Sequence, residues 1–177
     1  MATLREIKKA FFELPPKEQE QIIKEIYGFS KDVKIFMNMR LLGDGEEQFI
    51  KQITKACESE TPKGSPKMIK VTAVNAILTK AKKSKVSKET LCDMEWIAFD
   101  GYMTFLNDYG GGPDSYTNKI YDHLGNYLQL LRELDKLEEN IKKVQIYLRR
   151  HTNMYYDHIW ELFEQITAEN VLVDYDF

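Results

Sequence analysis

Residue types suited to chemistry are sparse in this 177-residue chain: three histidines, two cysteines, one glycine-rich bend and a string of lysines. His151 and His158 stand seven apart, and Glu161 follows three residues later. An unbroken helix would place all three on one face. Imidazole and carboxylate suit divalent transition metals, so this trio is the candidate metal site. It lacks a second Glu-x-x-His unit, and a helix break near 151 would scatter it. Capping or solvated histidines are the plainer expectation. His123 follows Asp122, and a nearby carboxylate favours a protonated imidazole. Helical neighbours point apart, however, and no nucleophile stands beside either residue. Ordinary solvation is therefore expected at 122–123, and no catalytic residue is assigned.

The bend LNDYGGGPDSYTNK, residues 106–119, raises the question of a phosphate loop. A Walker loop needs G-x-x-x-x-G-K-[ST] between a strand and a helix, so that backbone N–H groups and the lysine meet the phosphates. Here a helical pattern precedes the glycines, and no Lys-Ser or Lys-Thr follows Gly112. The dinucleotide fingerprint fails for want of a strand. The bend is explained as a helix corner. Gly110 supplies the left-handed residue that ends a helix, Pro113 blocks continuation, and Asp114 or Ser115 caps the next helix. An anion at that helix N-terminus is the remaining alternative. No cofactor loop is legible. Cys57 and Cys92 have neither metal-ligand spacing nor a disulfide framework, which predicts buried thiols.

The elements that would hold these residues are helical nearly throughout. Thr3-Leu4-Arg5-Glu6 has capping-box form, and Leu4, Ile7, Phe11 and Leu14 mark the first stripe. Pro15-Pro16 ends one helix and opens another; Gly28 closes that one, and Ser30 caps a third. Gly43-Asp44-Gly45 is a turn, with Asp44 and Glu47 capping a fourth helix. Residues 58–66, ESETPKGSP, form a loop by composition, the candidate for mobility. A fifth helix is expected to carry Met68, Val71, Val74, Ile77 and Leu78. Ser87 caps a sixth, reaching about Asp108 and apolar around most of its circumference, as a central helix should be. Beyond the glycines, the stripe Ile120, Leu124, Tyr127, Leu131 slips phase before Leu137, Ile141, Val144, Leu148. That slip predicts a break near 134–138, and another is expected at 149–153. The last helix carries Tyr156 to Ile166, and 171–177 suits a short extended segment. The expectation is an all-α fold of seven to nine helices in stacked antiparallel hairpins, one domain over 1–177.

The stretch YGGGPDSYTNKIYDHLGNYLQLL (109–131) resembles the motif of a small bacterial family known only as a domain of unknown function. LPPKEQEQIIKEIYGFSKDVKIF (14–36) is similar to the family's opening, and NMYYDHIWELFEQI (153–166) to its closing helix. This chain lacks the aspartate directly after the Tyr-Gly pair and inserts extra glycines. The resemblance implies an all-helical domain and brings no activity or catalytic residue with it.

Composition bounds the rest. With 43% hydrophobic and 30% charged residues, the chain is foldable and long enough to bury about two-thirds of its unfolded surface. No apolar run approaches the ~18 residues of a membrane span. The first residues do not form a signal peptide. Cytoplasmic location in a bacterial cell is therefore expected. The net charge of −3 conceals residues 61–88, with eight lysines and no acid. Lys80, Lys82, Lys83, Lys85 and Lys88 could contact phosphates, although no aromatics interleave for base stacking and the acidic C-terminal half offers partners within the chain. The leading expectation is a protein-interaction or regulatory module with a protein partner or a second copy. Nucleic-acid binding through 67–88 comes second, and an enzyme without a legible catalytic motif third.

Overall fold

The computed structural model describes residues 1–151 and 156–167. Among them the chain is all-α, with nine helices and no strand, and it divides into two compact units, residues 1–45 and 46–177. The extended segment expected at 171–177 and the 152–153 end of the expected break lie outside the described residues.

The first unit holds α1 (Leu4–Glu13), α2 (Pro16–Phe29) and α3 (Lys31–Leu42). The capping box forms as expected: Glu6 N–H donates to Thr3 Oγ1 at 3.3 Å and Thr3 N–H to Glu6 Oε2 at 2.7 Å. Leu14 is extended because the following proline disfavours a helical conformation there. Pro16 opens α2, whose first N–H has no helical partner to lose. α2 runs through Gly28 to Phe29, one residue past its expected end. Ser30 then caps α3, its Oγ accepting from Val33 N–H at 3.1 Å. Gly43 closes α3 at φ +68°. α2 packs on α3, and Ile35 is the one buried residue of these helices, at 8% exposure.

The second unit begins with α4 (Glu46–Ala56), α5 (Val71–Ser84) and α6 (Lys88–Tyr109). It continues with α7 (Asp114–Glu133), α8 (Leu137–Arg150) and α9 (Tyr156–Thr167). α6 is the hub, packing against α4, α5 and α7, while α7 also meets α8 and α9. The start of α6 is fixed from a distance. Ser87 Oγ accepts from Thr90 N–H, and Glu46 accepts from both Ser87 N–H (2.7 Å) and Ser87 Oγ (2.6 Å). Gly101 lets the chain at Cys57 come close to α6. A Cβ there would stand 2.7 Å from Cys57 Cβ and 2.9 Å from its carbonyl oxygen.

Residues 58–66 form a closed turn in which Thr61 N–H donates to Ser65 O at 2.8 Å. α5 starts at Val71, so Met68 falls outside it and is exposed, while Ile69 is buried. Tyr116 accounts for the late start: its hydroxyl donates to Ile69 O at 2.8 Å, tying this segment to α7 instead of to helical partners. The glycine bend is a corner between α6 and α7. Gly110 is left-handed at φ +69°, but Asp114 lies in the first turn of α7 and no side chain caps that helix. The break expected near 134–138 is present, with Asp135 at φ +58° between α7 and α8.

Candidate functional site

Asn75, Leu78, Thr79 and Lys82 occur on α5 at spacings of i, i+3, i+4 and i+7, which puts them on one helical face. Lys119, Asp122, His123 and Asn126 repeat that spacing on α7. Between the two faces α6 contributes Glu95, and together these residues line a pocket of about 460 Å³. Leu78 is the one apolar member of this lining.

Glu95 is 1% exposed and His123 3% exposed. Glu95 Oε2 lies 2.6 Å from His123 Nδ1, and Glu95 Oε1 lies 3.3 Å from Lys82 Nζ. Burial pushes the Glu95 carboxyl up. The hydrogen bond and charge of His123, with those of Lys82, outweigh burial and hold it below the usual carboxylate range. An ionised Glu95 accepts a hydrogen bond from Nδ1, so in the neutral ring Nε2 is left as the acceptor. That Nε2 is buried without a hydrogen-bond partner, as is the Tyr102 hydroxyl. The two rings stack, with centroids 5.8 Å apart and planes 6° from parallel. The site therefore combines a fixed carboxylate–imidazole pair with two ammonium groups, Lys82 and Lys119, each held by an acid.

This corrects the expectation of a solvated His123. The histidine falls on the buried stripe of α7, beside Ile120, Leu124 and Tyr127, and its carboxylate partner lies 28 residues away in α6. Asp122 does not meet His123; it lines the same pocket and pairs with Lys119. Glu95 escaped the sequence reading. Asp93 and Asp100 stand in the same dense apolar run of α6, so nothing in the sequence singled out Glu95 as the buried acid that needs a partner.

The five lysines proposed for phosphate contact divide. Lys82 meets Glu95, and Lys88 meets Glu133 at 2.9 Å. Lys85 ends α5 in the left-handed conformation, and Lys80, Lys83 and Lys85 are exposed. The metal trio also divides. His151 Nδ1 lies 2.8 Å from Tyr147 O, and its ring stacks on Tyr147. His158 lies 3.6 Å from Glu161, both exposed. Among the described residues no three His, Cys, Asp or Glu side chains are grouped to hold a metal ion. Cys57 and Cys92 are buried, free thiols, as expected.

A second feature concerns the first unit. Of the thirteen large apolar side chains exposed among the described residues, eleven lie in residues 1–45. They include Leu4, Ile7 and Phe12 of α1 and Ile23, Ile26 and Phe29 of α2, with Phe12 70% and Phe29 85% exposed. The flanking charges are balanced, at eight basic and seven acidic residues. Some are already paired along the helices, as in Lys9–Glu13 and Lys24–Glu20. Among the described residues no helix is long and apolar enough to cross a membrane. No protein-family model, no curated protein and no solved structure matches this chain.

Proposed function

We propose that the protein is an interaction module that associates with a second copy of itself through residues 1–45. The supporting observation is the mismatch between apolar content and burial in that unit, where one helical residue is buried and eleven large apolar side chains are exposed. Scattered exposed apolar residues are ordinary, but a concentration of this kind marks a contact surface. A unit of 45 residues is also near the size below which a hydrophobic core alone rarely suffices and oligomerisation commonly supplies the missing burial.

Charge selects the partner. A nucleic acid or an anionic lipid surface calls for excess cations on the polar faces, whereas here lysines alternate with glutamates. A balanced surface meets its own copy without net repulsion, and about a two-fold axis residue i meets j and j meets i. The paired state of Lys82 and Lys88 weighs against nucleic-acid binding as the main activity. A cytoplasmic location is part of the proposal, supported by the two buried thiols, Cys57 and Cys92, which form no disulfide.

Hydrogen exchange across a dilution series tests this. Amides of α1–α3 gain protection as concentration rises, while those of α6 and α7 keep theirs. Protection in α1–α3 that does not change with concentration contradicts the proposal.

A further inference from the structure

We propose that the pocket between α5, α6 and α7 binds a compact zwitterion carrying one ammonium and one carboxylate, of the α-amino-acid class. The inference is independent of self-association, since it concerns the second unit alone.

The pocket holds more than surface side chains. Its lining includes a buried carboxylate held by a buried imidazole at 2.6 Å, and that imidazole has a ring nitrogen the fold leaves unpartnered. Burying an ion pair contributes little to stability compared with an apolar pair of similar volume. Charges buried in this way and lining a cleft are candidates for ligand recognition. The unpartnered Nε2 of His123 is also unusual, since nearly all buried polar atoms are paired.

The lining excludes the common alternatives. One apolar residue, Leu78, cannot recognise a hydrophobic ligand. Beside His123 there is no aromatic side chain in the lining, so a nucleobase has no stacking platform. Each ammonium is matched by a carboxylate, Lys82 by Glu95 and Lys119 by Asp122. A phosphate or other multiply charged anion would meet two acids as well as two cations. A ligand with one charge of each sign satisfies both kinds of group: its ammonium is shared by Glu95 and Asp122, and its carboxylate takes Lys119, the less exposed of the two lysines. The Asn75 and Asn126 amides supply neutral donors and acceptors for the remainder of the molecule. The volume of about 460 Å³ lies within the range of small-ligand sites.

The test is a titration of the full chain, followed by amide NMR, with the common α-amino acids added singly. Propionate and ethylamine, the two separated charges of alanine, serve as controls. At least one amino acid is expected to give saturable shifts at the Asn75 and Asn126 side-chain amides, and neither control is expected to do so. Glu95→Gln and Lys119→Met should each weaken that binding by about tenfold or more. Lys119 takes no part in the buried Glu95–His123 pair, so Lys119→Met keeps the test valid if Glu95→Gln unfolds the chain; a dispersed spectrum certifies folding. The proposal is overturned if no amino acid saturates. It is equally overturned if propionate or ethylamine binds as tightly as the amino acid, or if folded Lys119→Met binds with unchanged affinity.

Discussion

Removing the imidazole beside Glu95 would leave a carboxylate buried in α6 with only Lys82 for company. Breaking a buried pair from one side costs about 3–5 kcal/mol, so His123→Ala is expected to lower unfolding stability by about 3 kcal/mol in urea titrations at neutral pH. The sign of the pH effect follows from the lowered Glu95 value. A group depressed on folding contributes fully above its unfolded value, roughly 4.3 for glutamate, and the contribution fades as pH falls through the lower folded value. The stability gap between the protein and Glu95→Gln should therefore narrow from neutral pH into that acid window. A gap that widens toward acid would contradict the assignment. The buried thiols give a separate reading. Burial pushes Cys57 up to about 12 and Cys92 to about 11, so a thiol-specific disulfide reagent at pH 8 should react slowly with the folded chain and rapidly after denaturation. The buried thiols were legible in the sequence because apolar neighbours surround both. The Glu95–His123 pair was not, since it joins residues 28 positions apart and no local pattern records which helix faces which.

At the scale of elements, the local signals translated well where they were self-contained. The Thr3–Glu6 box, Pro16, Ser30, Ser87 and Gly110 need only a few neighbouring residues, and each marks a helix end in the structure. The phase slip before Leu137 likewise marks a true break, since one helix cannot keep both stripes on a single seam. Signals failed where tertiary contacts decide. Met68 continues the apolar spacing of α5 but lies outside it, and Asp114 enters α7 rather than capping it. Gly101 carried no sequence signal at all, because its importance lies in Cys57 approaching α6. Gly101→Ala should destabilise by about 1–3 kcal/mol, the usual cost of overpacking, even though alanine is the better helix former. Thermal denaturation checks this, and an unchanged or raised Tm would contradict the close approach. Ser87→Ala removes the α6 cap and the hydroxyl bonded to Glu46. A loss of about 1 kcal/mol is expected in chemical denaturation.

For the whole molecule, apolar stripes and apolar burial part company. α1 and α2 display the same periodicity as α7, so their sequences predict core-facing helices. Yet α7 buries Tyr116, Ile120, Leu124 and Leu128, whereas Leu4, Ile7, Phe12 and Ile26 remain exposed. Periodicity reports that a helix has an apolar face but not what covers it, so this division became visible only in three dimensions. Sedimentation equilibrium over a concentration series, on the protein and on an Ile7→Glu/Phe12→Glu variant, tests self-association most directly. The account predicts a mass rising from 20.8 kDa toward twice that value for the protein, with the variant staying at the monomer mass and keeping its helical circular dichroism. A protein that remains monomeric throughout, or a folded variant that associates as strongly as its parent, would contradict it.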